Sequence, residues 1–227
     1  MKPEIIVMLT RNDETVDDAL EVFRHSKGLP VQHWGFKDVG LPRPKVKELV
    51  EEMKDAGKRT YLEVVSLGEN DGVGGAALAA ECGFDVLMGT AYRDSIRALL
   101  EGTSTEYFPF AGRVHSHPSV LDGTIEDIVG HARSLQDAGV DGIDLLAYRF
   151  VGDAEGLLQS VVSRISIPVV SAGSIGSFAR MREVQRAGAW AFTIGSALFN
   201  GAFVERKSFH ENLRAVLDWF ESEGAAL

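Results

Sequence analysis

The sequence predicts a closed (β/α)8 barrel that spans residues 1–227 as a single domain, and three observations carry that prediction. Eight short apolar or β-branched runs each end in Gly, Ser or Thr. Each run is followed by an amphipathic stretch of helical period, at the spacing of a βα unit. No two-residue hairpin turn separates the runs, so the strands are expected to be parallel, and eight parallel strands close into a barrel.

In chain order, strands are expected over residues 5–9, 31–36, 60–65, 86–88, 106–110, 142–147, 168–171 and 191–194. Helices are expected over 15–25, 44–56, 74–82, 94–101, 125–138, 154–165, 178–187 and 208–223. Three helices run into Ala-Gly (Ala56-Gly57, Ala138-Gly139, Ala187-Gly188), where glycine can take the left-handed cap that stops a helix. The 24 glycines against 7 prolines suit an architecture of repeated tight turns. No linker, low-complexity tract or charge block divides the chain.

Charge narrows the partners. Lys and Arg total 23 against 33 Asp and Glu, a net charge of −10, which repels nucleic-acid backbones and anionic lipid. Neither is expected as a partner. Cys82 is the single cysteine, so no intrachain disulfide can form, in keeping with a reducing compartment. The apolar run at 5–9 is too short for a signal peptide, and nothing reaches membrane-spanning length, so a cytoplasmic protein is expected.

The most specific segment is 167–199. The seventh strand ends in Ala172-Gly173-Ser174-Ile175-Gly176, and Arg180 and Arg182 follow on a helix. The eighth ends in Ile194-Gly195-Ser196-Ala197-Leu198-Phe199, the pattern of a one-turn helix. In a barrel these two loops are neighbours. Their glycines let bare backbone approach a ligand, and amides at the start of the short helix point at it.

This segment resembles the ribulose-phosphate-binding barrel superfamily, which includes enzymes of histidine and tryptophan biosynthesis, a pentulose-phosphate epimerase and several aldolases. Gly173 and Ser174 match its Gly-rich turn after strand seven, and Gly195 and Ser196 match its Gly-Ser turn after strand eight. The resemblance implies that these four residues surround a phosphate. The run Gly35-Phe36-Lys37-Asp38-Val39-Gly40 partly resembles the Asp-x-Lys-x-x-Asp motif of the orotidine-phosphate decarboxylase and hexulose-phosphate synthase group. Gly35 stands where that motif has its first Asp and the second acid is displaced, so that mechanism does not carry over.

Alternation along the strands indicates what lines the catalytic mouth. In strand two, Trp34 and Phe36 suit the helix side, which turns His33, Gly35 and Lys37 inward. In strand three Glu63 faces inward between Leu62 and Val64. In strand six Asp144 and Tyr148 face inward. Lys37, Glu63 and Asp144 are the expected acid–base set for proton abstraction beside a carbonyl or for C–C cleavage there. A buried ion-pair layer that only fills the barrel is the alternative. Desolvation could lower the Lys37 pKa enough for Schiff-base chemistry.

Arg11, Arg93, Arg113 and Arg149 follow strands one, four, five and six, which suggests an anionic substrate with a carboxylate besides its phosphate. Arg113 and Arg149 are the expected substrate contacts, with His115 as a general acid or base on a loop long enough to act as a lid. His115 and His117 could hold a metal with Glu63 or Asp144, but no third His or Cys ligand is evident, so no metal is expected. The glycine-rich run 68–75 reads as a loop, either a mobile cover or a long turn. No nicotinamide or flavin fingerprint is visible, and no cofactor is expected.

The expected function is therefore an enzyme that acts on a small phosphorylated sugar or sugar acid by enolisation, as an isomerase or epimerase, or by aldol-type cleavage. A non-catalytic barrel that senses a phosphorylated metabolite is the alternative from another class. Homo-oligomerisation stays open.

Overall fold

The computed structural model describes residues 2–224. Eight strands form one parallel sheet: β1 (Glu4–Met8), β2 (His33–Lys37), β3 (Arg59–Val64), β4 (Val86–Gly89), β5 (Glu106–Phe108), β6 (Ile143–Leu145), β7 (Val169–Ser171) and β8 (Ala191–Ile194). Neighbours follow the order β6-β7-β8-β1-β2-β3-β4-β5. Between β5 and β6 the barrel is closed by one bridge, Phe110 to Asp144, flanked by amide bonds from Asp144 to Pro109 (3.0 Å) and from Ala111 to Asp144 (3.1 Å). The architecture is the expected (β/α)8 barrel.

Around the sheet lie α1 (Ala19–Ser26), α2 (Arg43–Asp55), α3 (Glu69–Cys82), α4 (Asp94–Leu100), α5 (Ile125–Asp137), α6 (Ala154–Val162), α7 (Phe178–Ala187), the one-turn α8 (Ser196–Phe199) and α9 (Phe209–Gly224). On α5, α6 and α7 the start is marked by a side chain that accepts from an orphan amide: Thr124 with Asp127 makes a reciprocal capping box on α5, and Asp153 and Ser177 cap α6 and α7. Gly188 ends α7 at φ 77°, as its Ala-Gly signal predicts.

Strand alternation sorts the side chains as expected. Trp34 and Phe36 turn outward, where their rings meet Phe23 (5.1 Å) and Phe84 (5.3 Å) edge-on. All four are fully buried, and burial of such a side chain contributes about 1.5–3 kcal/mol, so the apolar layer between sheet and helices holds the barrel together. Inside, a β-carbon added to Gly35 would lie 2.8 Å from Tyr61 Cβ and 2.9 Å from Met8 Sδ, so that interior level is closed. The floor is aromatic. The His33 ring packs on Tyr61 (5.6 Å) and Trp190 (5.8 Å), Phe108 packs on Trp190 (6.1 Å), and His33 Nδ1 lies 2.6 Å from the Tyr61 hydroxyl.

Gly142 belongs to this floor. A β-carbon there would stand 2.4 to 2.7 Å from three atoms of the buried Phe108 ring. Gly142→Ala is therefore expected to destabilise the fold by about 2 kcal/mol through overpacking. Urea denaturation reads it directly, and an unchanged midpoint would show slack in the floor.

Three expectations are corrected. A two-residue hairpin turn does exist: Thr10–Arg11 pairs antiparallel with Glu14–Thr15 around Asn12-Asp13, both at positive φ (52° and 65°), so α1 begins at Ala19 rather than at residue 15. The left-handed tolerance of Asn and Asp is what permits this turn. The glycine-rich run 68–75 is no loop beyond Gly68, because α3 starts at Glu69. Its glycines serve close packing, since a β-carbon on Gly75 would meet Val64 Cγ2 at 2.3 Å and one on Gly72 would meet Ile96 Cδ1 at 2.8 Å. The segment after β5 is a second antiparallel hairpin, Arg113–His115 with Val120–Asp122.

Candidate active site

A cavity of about 210 Å³ opens at the C-terminal ends of the strands, between the first hairpin and the loops after β6, β7 and β8. Lys37, Glu63, Arg149, Gly173, Ser174, Gly195 and Ser196 all line it, so seven of the residues singled out from sequence meet in one place. Asp13 lines it too, and the sequence reading missed it.

Lys37 closes β2. The ladder with β1 ends at Gly35, and on that side Thr15 of the hairpin takes over: its hydroxyl donates to the Lys37 carbonyl (2.8 Å) and accepts from the Lys37 amide (2.9 Å). Lys37 is 5% exposed, and its ammonium lies 2.8 Å from Asp13 Oδ1 and 3.3 Å from Glu63 Oε1. Burial alone would favour the neutral amine. The carboxylates of Glu63 and Asp13 outweigh it and raise the Lys37 pKa above its ordinary value. The expectation that desolvation lowers this pKa is thus overturned: Lys37 is held as a cation.

Arg149 grips the other side of Asp13, with Nη2 2.8 Å from Oδ1 and Nη1 3.2 Å from Oδ2. Burial pushes the Asp13 pKa up, but hydrogen bonds from Arg149 and Lys37 prevail and hold its carboxyl far below the usual carboxylate range. Arg149 reaches the mouth because Ala147–Arg149 form a 3-10 turn that breaks strand alternation. The same turn carries Tyr148 away from the barrel, contrary to expectation. Its hydroxyl donates to Glu183 (2.9 Å), and the Arg180 guanidinium lies over its ring at 5.1 Å.

Asp144 sits below the cavity, fully buried, and neither carboxyl oxygen makes a well-formed hydrogen bond, the nearby Gly89 backbone giving its anion only minor support. Burial first, and then the like charge of Glu63, raise its pKa well above the ordinary value and favour the protonated form.

The loops after β7 and β8 form a shelf beside Arg149. Gly173 sits at φ 74° and its amide donates to Thr193 Oγ1 (3.1 Å); a β-carbon there would lie 2.6 Å from Arg149 Nε, so both backbone and space require glycine. Ser174 follows at φ 59°, and its carbonyl accepts from the Arg180 guanidinium. Gly195 lies against Thr10, and Ser196 Oγ accepts from the Asn12 amide (3.1 Å).

Other candidates lie elsewhere. Arg113 is mostly exposed and paired with Asp122 (2.5 Å) on the second hairpin, and it lines a separate depression with His131. His115 is half-exposed beside Ser116 and Asp122. Neither lines the mouth cavity, although their hairpin touches it through the Ser119 carbonyl, which accepts from Arg149 at 3.5 Å. Arg11 bonds Asn200 instead, and Arg93 turns back to the Tyr92 carbonyl. Among the described residues, no group of three or more His, Cys, Asp or Glu is placed to hold a metal ion, and no helix is long and apolar enough to cross a membrane.

No family model matches the chain. It is 37% identical over 59 residues to the 1-(5-phosphoribosyl)-5-((5-phosphoribosylamino)methylideneamino) imidazole-4-carboxamide isomerase of Methanosarcina barkeri, and 30% identical over 86 residues to that of Halobacterium salinarum. These matches take in 22% and 36% of this chain, and they span only 24% and 36% of the relatives' lengths. Among solved structures, orotidine 5'-phosphate decarboxylase from Pyrococcus horikoshii superposes with a TM-score of 0.69 at 15% identity, over 96% of this chain and 99% of that one. The native structure of KDPGal superposes with a TM-score of 0.71 at 12% identity, over 100% and 98%. In fold, the chain stands with the (β/α)8 barrels.

Proposed function

We propose that this protein is an enzyme that enolises a small phosphorylated sugar or sugar acid, as an isomerase or epimerase does. Gly173, Ser174, Gly195 and Ser196 hold the phosphate. The observation that carries this reading is the union, in one small cavity, of a backbone-lined shelf with a buried Lys37–Glu63 pair. Partial likeness to isomerases of phosphoribosyl compounds supports it.

In this reading the phosphate anchors the substrate on the shelf, with Arg180 behind Ser174. The Lys37 ammonium stabilises the oxygen of the developing enolate, where a fixed buried cation acts far more strongly than in water. Glu63 moves the proton at the adjacent carbon, and Asp144 beneath it supplies or stores a second one. Aldol-type cleavage uses the same enolate, so Lys37 serves it as an ammonium. A Schiff base would require Lys37 to lose the proton that Glu63 and Asp13 hold on it. Arg149 meets the rest of the anion, beside the Ser119 carbonyl of the second hairpin.

The test is thermal denaturation with sugar phosphates and phosphorylated sugar acids, each paired with its dephosphorylated form. A ligand at a hundred times its dissociation constant adds about 2.7 kcal/mol, which for a chain of this size moves Tm by about 5 to 10 °C. Stabilisation by phosphorylated members only is expected, followed by turnover of at least one. Equal responses to both forms would overturn the phosphate shelf, and binding with no turnover would make the protein a sensor.

A further inference from the structure

The Asp13 carboxylate occupies the site as a ligand would. Its Oδ1 takes the Lys37 ammonium and the Arg149 guanidinium, each at 2.8 Å, while Oδ2 takes the second guanidinium nitrogen at 3.2 Å. This is a complete carboxylate niche, with a flat fork on one side and a point charge on the other. Both cations are largely buried, and both line the cavity that also contains the shelf.

Asp13 reaches that niche from the tip of a two-residue turn. The flanking ladder is only two pairs long, and Arg11, Asn12 and Glu14 around it are exposed. The tip is pinned to the barrel by the Asp13 carboxylate itself and by the Asn12 amide on Ser196 Oγ. It therefore touches both halves of the proposed site, the cation pair and the shelf.

Resting on the substrate-site reading above, we infer that Lys37 and Arg149 form a carboxylate subsite, which Asp13 fills in the resting protein and vacates for the carboxylate of a short phosphorylated acid. Two further observations define the ligand. Arg149 lies directly against Gly173, so a carboxylate on Arg149 and a phosphate on the shelf are separated by a few bonds of substrate. The cavity, at about 210 Å³, lies below the roughly 300 Å³ at which pockets for drug-sized ligands begin, which fits a skeleton of few carbons. Selectivity follows from charge. Once Asp13 leaves, the buried Arg149 loses its carboxylate and Lys37 keeps only Glu63, so an alcohol or amide in that place leaves positive charge uncompensated where a carboxylate does not.

The test uses the full chain and malonate as a dicarboxylate probe, with malonamide as its uncharged counterpart and inorganic phosphate as an independent probe of the shelf. Asp13→Gly removes the internal competitor, and glycine accepts the positive φ of that position. Calorimetry is expected to show malonate bound about tenfold tighter or better by Asp13→Gly than by the unaltered protein, with no response to malonamide. Adding Arg149→Gln to Asp13→Gly should abolish the gain. Equal gains for malonate and phosphate would reveal a general charge effect and overturn the subsite, as would unchanged malonate binding by a variant that still binds phosphate. If malonate gains while phosphate is bound by neither protein, the subsite stands and the phosphate shelf fails. Should Asp13→Gly not fold, Asp13→Asn keeps the left-handed residue type and is expected to show a smaller gain of the same sign; no gain there would overturn the proposal.

Discussion

Lys37→Met is expected to reduce turnover by about a thousandfold or more and to destabilise the fold by about 3 kcal/mol. The stability loss arises because the buried Lys37 is the ion-pair partner of Glu63 and shares Asp13 with Arg149. Methionine replaces the stem and leaves Glu63 in the barrel interior without that cation. Arg149 still holds Asp13, which keeps the cost at the lower end of the range for breaking a buried pair. The pH dependence has a definite sign. A lysine whose folded pKa is raised contributes stability that is complete at neutral pH and lost only as pH climbs past its ordinary value of 10.5 and through the folded pKa. Urea denaturation at pH 7, beside turnover on the substrate found by thermal shift, checks both halves. Unaltered stability would mean that the pair is not formed in solution, and unaltered turnover would remove Lys37 from the chemistry.

The second large effect is a gain. Asp144→Asn is expected to make the protein more stable than its parent at neutral and alkaline pH, with an advantage that shrinks as pH falls toward 4. Asp144 is fully buried without a well-formed hydrogen bond, and burial and Glu63 outweigh the nearby Gly89 backbone and raise its pKa. Above the unfolded carboxylate value of about 3.9, and up to the raised folded value, the folded state holds more protons at this site than the unfolded one, so the parent loses stability as pH rises. The loss approaches about 1.4 kcal/mol per pH unit within that window. Asparagine has the same shape and never ionises, and an unpaired amide costs about as much as an unpaired neutral acid. The readout is the difference between the two proteins in denaturation series from pH 4 to 8. A constant difference across that range would show that Asp144 titrates normally. Loss of turnover in the same variant would place its proton in the reaction cycle.

The barrel was legible because its signals are local and repeated. Trp34 and Phe36 against His33 and Lys37 fix the sidedness of β2 from alternation alone, and the Gly-Ser pairs after β7 and β8 fall where adjacent loops converge. What escaped the sequence depends on contacts made at a distance. The 69–75 run is helical, and two of its glycines answer to close packing, since Val64 and Ile96 leave no room for a β-carbon at Gly75 and Gly72. Tyr148 left the expected face because a 3-10 turn interrupts the strand period, and the turn that displaced it delivered Arg149. Arg113, one of the two anion contacts expected from sequence, is occupied by Asp122 across a hairpin where a loop is expected. Asp13 had a usable signal. Asn12-Asp13 between Thr10-Arg11 and Glu14-Thr15 is a left-handed-tolerant pair directly after a barrel strand, where a turn points back over the mouth.

The aromatic floor has a consequence for traffic. His33, Tyr61, Phe108 and Trp190 stack beneath the polar layer, so the level of Lys37, Glu63 and Asp144 communicates with solvent from above. A ligand lodged on the shelf and against Arg149 stoppers that entrance. Under the function proposed above, the interior then holds a small fixed inventory of protons, and a proton lifted from a substrate carbon would be returned from that inventory rather than exchanged with bulk water.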